Sequence, residues 1–549
     1  MKFEISKLLS KSINLNQVEI EKLIEIPPSS ELGDYSFPCF ILAKELKKSP
    51  VQIAEELSKK IKSKEFERIE SKGPYLNFFV SKLEFISSVL TKSKKKDFGK
   101  TKFKGKILID YSHPNVAKHF GIHNLRSTLI GHSIYNILEF EGYNLTSINH
   151  LGDWGTQFGK LIVAYKKLKN KLKIDNIESL NNLYIEFHNE SEKKPELEEE
   201  ARKEFKKLEL GDKENLKIWK SFRDISLKEF DKTYKLLGIS FDEIKGESYY
   251  KNAIKPLINE LKKKGIAEES EGALVIKQQG ERPPLILQKS DEASTYASRD
   301  LAAIIERMKS KPDKILYVVD NAQSLHFEQV FEASNIIGIN RDKLEHVKFG
   351  RLRFPDAQMS TRKGNIILFE DLLEKAELEV LRIIKDKNPS LKNKEKIANK
   401  VALASIIYHD LQNNRLHDII FNWENALSFE GKSGPYILYT YARASSILRK
   451  ANKKKSKLVM PKSLNEKEFL LAKKINSFPE IVEKSAKDYS PHHIAEYSYE
   501  LSQSFNEFYH ASQVIGSEEE NFRLELIKSF QETLKKSLNL LGIETVEEM

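Results

Sequence analysis

One stretch restricts what this chain can become more than any other: Lys106 to Gly131, KILIDYSHPNVAKHFGIHNLRSTLIG. The apolar run Ile107 to Tyr111 is the length of one buried parallel strand, a loop with Pro114 follows, and a helical pattern begins near Gly121 or Ile122. A strand feeding a loop and then a helix leaves backbone N–H groups unpaired at the helix start, where an anion such as a triphosphate is attracted. His113, His119 and His123, three of only thirteen histidines, crowd that junction. By spacing alone such residues are more often caps or surface groups than phosphate contacts.

Composition narrows the classes. A chain of 549 residues is long enough for three or four domains and a large core. A net charge of +11 points to a polyanionic partner, although Lys-rich chains reach such values without one. The single cysteine, Cys39, excludes an internal disulfide and a thiolate zinc cluster. The N-terminus MKFEISKLLS lacks the pattern of a signal peptide, and no apolar run approaches the roughly 18 residues of a membrane helix. A cytoplasmic protein with no membrane contact is expected.

Along the chain, residues 1–100 read as a small α/β module that ends in the strand-like GPYLNFFVS, and the Lys-rich run from 92 to 106 reads as a solvated linker. YNLTSINHLGDWGTQFGKLIVAY, 143 to 165, runs strand, Gly-rich turn, helix, with glycines that let a ligand approach the backbone. From about 168 to 245 Lys/Glu-rich amphipathic helices carry packing faces and no evident chemistry. In QKSDEASTYASRDLAAIIERM, Tyr296 and Asp300 are four apart and share one helix face. LYVVDNAQSLHFEQVF then reads as a strand (Leu316 to Val319), a loop and a helix. A loop bearing Gly, Pro and Ser follows in HVKFGRLRFPDAQMSTRKGNIILF, and from about 390 the pattern is nearly all helical. There GPYILYTYAR interleaves Tyr436, Tyr439, Tyr441 and Arg443, able to stack bases and pair phosphates, yet equally a core pattern.

Together these strings resemble the class I arginyl-tRNA synthetases. DYSHPNVAK before LRSTLIG is similar to the family's HIGH region, HLGDWGTQFG and STYASRD match further family strings, and GPYILYTYAR resembles the start of its anticodon-binding helical domain. The chain departs from the pattern in two places. Without gaps, Gly121 and Asn124 occupy the two histidine positions of the HIGH core and His123 that of its glycine; a shifted register reads His119-Phe120-Gly121 instead. In the place of the Lys-Met-Ser-Lys-Ser loop stands Gln358-Met359-Ser360-Thr361-Arg362, so both lysines are replaced, and Arg362 and Lys363 follow to supply charge.

The resemblance implies a multi-domain α/β protein: a Rossmann-type catalytic domain with a helical insertion at 101–390, an N-terminal tRNA-contacting module at 1–100, and an all-α anticodon-binding domain at 391–549. It implies ATP-dependent ligation of L-arginine to tRNA(Arg) through an arginyl-adenylate. Catalytic groups would be Lys118, His119, His123, Asn124, Arg362 and Lys363, with Lys118 replacing the missing loop lysine. Arginine would be held by Asp110, Ser112, Asn115, Tyr296, Asp300 and Gln323, because carboxylates accept a guanidinium fork bidentately. His326 also matches the family pattern. ATP would meet Gly121, Gly152, Asp153, Met359 and Ser360, and tRNA would meet Tyr436, Tyr441 and Arg443. Magnesium is expected with ATP, with no protein ligand for it evident; no zinc is expected, and the chain is taken as a monomer. A non-catalytic tRNA-binding paralogue and a class I synthetase for another amino acid are the two rivals.

Overall fold

The computed structural model describes residues 1–549 apart from 102, 169–173, 281, 291–293, 355–367 and 452–458, and for residues 30 and 168 the backbone alone. The chain divides into two compact units.

The first unit comprises Met1–Phe98, Ala451–Asn476 and Ser504–Glu532. In it the strand Tyr75–Val80 lies between Tyr35–Pro38 and Phe66–Lys72 and runs antiparallel to both. Phe37, Leu76 and Phe78 are fully buried on this sheet, which is why the run YLNFFV is so apolar. Two flanking helices start on reciprocal caps, Asn16 with Glu19 and Ser49 with Gln52, the second with Pro50 at its first position. The Asp34 carboxylate accepts from the Val80 amide at 3.0 Å and from Lys473 Nζ at 2.7 Å, tying the sheet to a segment from the other end of the sequence. The linker expected at 92–106 is shorter than that: the helix Lys82–Ser93 takes its first residues and a strand beginning at Gly105 its last.

The second unit comprises Gly99–Lys450, Ser477–Gln503 and Thr533–Met549. Its centre is a five-stranded parallel sheet of β1 (Gly105–Asp110), β2 (Tyr143–Asn149), β3 (Glu243–Ile244), β4 (Lys314–Asp320) and β5 (Leu344–Phe349). The spatial order is β5-β4-β1-β2-β3. Ile109, Ile148, Ile315, Val318 and Val347 are fully buried, as a parallel sheet covered on both faces requires. The order reverses between β1 and β4, so a crevice opens at their carboxyl ends, where open α/β sheets bind ligands.

The helices that matter for that crevice are α1 (Ile122–Phe140), α2 (Lys213–Leu236), α3 (Glu247–Lys263), α4 (Tyr296–Met308) and α5 (Ser324–Ile336). α1 begins at the position its sequence pattern predicts. It lies close against β1 and its extension, because Gly131 has no side chain: a Cβ there would stand 2.3 Å from the Tyr111 ring. Beyond the sheet, α6 (Lys394–Leu411) and α7 (Gly434–Lys450) open the helical C-terminal part, interrupted by the short strand Ile419–Ile420. That strand pairs in parallel with Leu352–Arg353.

Candidate active site

β1 ends on Asp110, and the chain then enters a loop of unusual backbone. Ser112 (φ 82°), His113 (φ 51°) and Ala117 (φ 65°) are left-handed, a conformation that costs a non-glycine residue about 1–3 kcal/mol. The loop is held by what surrounds it. The Ser112 hydroxyl lies 2.7 Å from Tyr234 Oη and accepts from Thr128 Oγ1 at 2.7 Å, and the Ala117 amide donates to Ser226 Oγ at 2.9 Å. Tyr234 and Ser226 both sit on α2, so the inserted helices, in which sequence reading found no chemistry, brace the loop.

The loop is also stitched to the turn after β2. Val116 N–H donates to the Gly152 carbonyl and Gly152 N–H to that of Pro114, both at 3.1 Å. A Cβ at Gly152 would stand 2.2 Å from Asn115 Oδ1, so glycine is what lets the Asn115 amide approach this backbone. α1 then starts on Gly121 with no side-chain cap among the described residues, and the Asn124 amide turns back to the Gly121 carbonyl at 2.9 Å, the kind of helix start that attracts an anion. His119 and Lys118 precede that start and are half-buried; His123 is exposed in the first turn, and Asn124 is buried. Lys118 Nζ lies 5.5 Å from the Tyr184 ring centroid. The flank that returns from residues 355–367 meets the same point, since Leu368 bridges to Gly121 and Phe369 N–H donates to the Phe120 carbonyl at 3.5 Å. Met359, Ser360, Arg362 and Lys363 themselves lie outside the described residues.

The two carboxylates expected to hold a guanidinium occupy different surroundings. Asp110 is buried with both oxygens engaged, Oδ2 by Arg307 Nη1 and Oδ1 by His113 Nε2, each at 2.8 Å. Burial would push the Asp110 carboxyl up, but Arg307 and then His113 outweigh it and hold it well below the usual carboxylate range. Asp300, on α4, is partly exposed and meets only one such partner among the described residues, His326 Nε2 at 2.6 Å. Tyr296, the first residue of α4, is 62% exposed, and Gln323 is exposed at the residue before α5. Behind them Arg299 Nε lies 2.9 Å from Glu247 Oε2, and burial pushes the Glu247 carboxyl up to about 8 against the pull of Arg299.

Three expected contacts are corrected by burial. Asp153 is fully buried, its carboxylate accepting from the Ser248 amide (2.8 Å) and hydroxyl (2.7 Å) and from Arg223 Nε (3.2 Å), so it fastens α3 and α2 to the Gly-rich turn instead of facing a nucleotide. Ser112 is 1% exposed and its hydroxyl is committed to Tyr234 and Thr128, so it shapes the loop and is not open to arginine. Tyr441 is 2% exposed, with its hydroxyl donating to Glu547 at 3.3 Å; it is core, and no base can stack on it. On the same helix Tyr436 packs half-buried against Tyr499, with ring centroids 5.6 Å apart, and Arg443 lies over Tyr439.

Arg307, Glu247 and Tyr234 are the groups that sequence reading passed over. One signal for Arg307 was present: it stands seven residues after Asp300, two turns along the helix, at a position otherwise expected to be apolar. Glu247 and Tyr234 carried no such mark, because their importance comes from what the fold brings against them.

Comparison with known proteins finds relatives over nearly the whole chain. A family model described as tRNA synthetases class I (R), catalytic domain, matches residues 85–423. The DALR anticodon binding domain matches 437–549 and the arginyl tRNA synthetase N terminal domain 1–80. An arginine–tRNA ligase of Clostridium botulinum (strain Langeland) is 44% identical over 557 residues, and one of Clostridium perfringens (strain 13) is 45% identical over 559, each alignment covering 99% of both chains. Among solved structures, Thermus thermophilus arginyl-tRNA synthetase superimposes with a TM-score of 0.82 at 26% identity, covering 99% of this chain and 98% of that one. The Plasmodium falciparum enzyme gives a TM-score of 0.80 at 26% identity, covering 100% and 98%. A left-handed loop at the carboxyl end of β1, leading into a helix start without a side-chain cap, is thus found in a chain whose three parts all match one family: this enzyme belongs to the class I arginyl-tRNA synthetases.

Proposed function

We propose that this enzyme joins L-arginine to tRNA(Arg) at the expense of ATP, through an arginyl-adenylate, with release of pyrophosphate and AMP. The observation that carries the reading at the level of the site is Asp300: a carboxylate with no lysine or arginine partner among the described residues, oriented by a histidine, at the carboxyl edge of the sheet. Such a group accepts a guanidinium without first having to release an internal cation. Asn115, Tyr296 and Gln323 stand on neighbouring segments of the same crevice and would complete the grip on the amino acid. The uncapped start of α1 would receive the ATP phosphates, with Lys118, His119, His123 and Asn124 around it and Gly121 and Gly152 permitting close approach. Arg362 and Lys363 would meet the departing pyrophosphate.

Catalysis on this reading is positioning and electrostatics, without a covalent enzyme intermediate. Magnesium would arrive with ATP, and zinc has no part. tRNA would be read by the N-terminal module and by the helical C-terminal part, where Tyr436 and Arg443 remain candidates. The enzyme would act as a monomer in the cytoplasm, in keeping with its one, buried cysteine. The test is ATP-dependent charging of tRNA with arginine by the purified chain. Charging with arginine alone among the amino acids supports the reading, and its absence at saturating ATP and tRNA overturns it.

A further inference from the structure

The contrast between the two carboxylates of the crevice needs a cause. Asp110 is matched by a buried guanidinium and a histidine, one on each oxygen. Among the described residues Asp300 is matched by His326, at 2.6 Å on Oδ2. His326 is the third residue of α5, the helix packed against the one that carries Asp300, and its ring stands edge-on to Phe327 at 5.6 Å. The bond therefore crosses from one helix to another and fixes a partly exposed carboxylate that would otherwise turn between rotamers.

We infer that His326 is the positioning residue that aims Asp300 at the guanidinium of the substrate. A lysine or arginine in its place would hold the carboxylate equally well but would compete with the substrate for it. An imidazole that donates through Nε2 engages one oxygen of Asp300 and leaves the other for the ligand. Fixing one rotamer-rich side chain in advance removes an ordering cost that is worth roughly three- to tenfold in affinity.

This inference rests on the assignment of Asp300 to the guanidinium, and the experiment separates the two. Steady-state charging would be measured at saturating tRNA for the parent, Asp300→Asn, His326→Leu and His326→Gln, varying arginine and ATP in turn. Asp300→Asn is expected to raise the KM for arginine by about thirtyfold or more. His326→Leu is expected to raise it roughly three- to tenfold while the KM for ATP stays within about twofold and kcat falls less than the arginine KM rises. His326→Gln, whose amide nitrogen can take the place of Nε2, should recover most of that loss. If Asp300→Asn raises the arginine KM and His326→Leu does not, His326 aims nothing and the inference fails while the site assignment stands. If Asp300→Asn leaves the arginine KM unchanged, both fail. If Leu and Gln lower kcat and weaken ATP together with arginine, His326 is a structural residue and the inference is overturned.

Discussion

Arg307 and Asp110 form a buried ion pair at the carboxyl end of β1, with Nη1 and Oδ2 2.8 Å apart and both side chains at most 4% exposed. A second histidine, His150, lies 3.4 Å from the same guanidinium, and the Tyr317 ring centroid is 5.3 Å from its carbon. Burial pulls the Arg307 guanidinium down, and Asp110 more than restores it, so the pair stays charged. Through His113 the pair also reaches the left-handed loop after β1. A cluster that fixes that loop must be rigid, and charges that are buried and mutually satisfied are rigid in this sense.

The first prediction follows from removing one partner. Asp110→Asn leaves the Arg307 guanidinium buried without its counter-charge, which typically costs about 3–5 kcal/mol. The thermal midpoint should drop by several degrees, measured by scanning calorimetry at neutral pH. The acid limb should change as well. Because Asp110 is held below its ordinary value of 3.8, its contribution is present above that pH and is lost as pH falls below it. The parent should therefore lose stability more steeply than the variant below about pH 4. Parallel acid limbs would show that the pair contributes nothing of this kind.

Gly131→Ala pits two effects against each other. Alanine improves helix propensity by about 1 kcal/mol. The added methyl, however, would stand 2.3 Å from Cγ and 2.4 Å from Cβ of Tyr111, at the root of a fully buried ring that has little room to move. Overpacking of this kind costs about 1–3 kcal/mol, and here it also pushes on the residue next to Asp110. The variant should be destabilised by urea titration and charge tRNA more slowly. A stabilised variant would mean that α1 and β1 part easily.

Lys118 is the third case. The pentavalent transition state at the α-phosphate gathers negative charge, and the loop position that usually answers it is Thr361 in this chain. Lys118 stands three residues before the uncapped start of α1, where the macrodipole disfavours a cation unless an anion is near. Lys118→Ala should lower kcat by about a hundredfold or more while sparing the KM for arginine. If the variant is nearly as fast as the parent and Lys363→Ala is inactive, the compensating charge belongs to the loop.

A fourth prediction concerns tRNA. The strand Leu352–Arg353, which leads into residues 355–367, is paired with Ile419–Ile420 of the helical part, and Asp418 accepts from the Arg351 amide at 2.8 Å and from Arg353 at 2.7 Å. Anything that moves the helical part is thus linked to the strand that precedes residues 355–367. Arginine-dependent exchange of pyrophosphate into ATP should be very low until tRNA(Arg) is added. Asp418→Ala should weaken the stimulation by tRNA. Robust exchange without tRNA would show that activation is not coupled to it.

The amino-acid sequence alone determined the elements and their kind. The apolar run before Asp110, the helix from Ile122, the strand–turn–helix around HLGDWG and the helical C-terminal part are local patterns, and local patterns survive in the fold because period and turn chemistry are properties of neighbouring residues. The family strings likewise carried the activity, since they are short and contiguous. What the sequence left open was the direction in which each polar side chain points. Asp110 and Asp300 look alike in sequence, but one is buried against Arg307 and the other is partly exposed and bonded to His326; Asp153 and Tyr441 stand in conspicuous motifs and are buried; His326 acquires a partner 26 residues away. These outcomes depend on which residues from distant segments meet across the crevice and on how much water remains there. Both quantities come into being only when strands, insertion helices and C-terminal helices pack together, because burial and pairing are properties of the assembled surface and not of any segment that contributes to it.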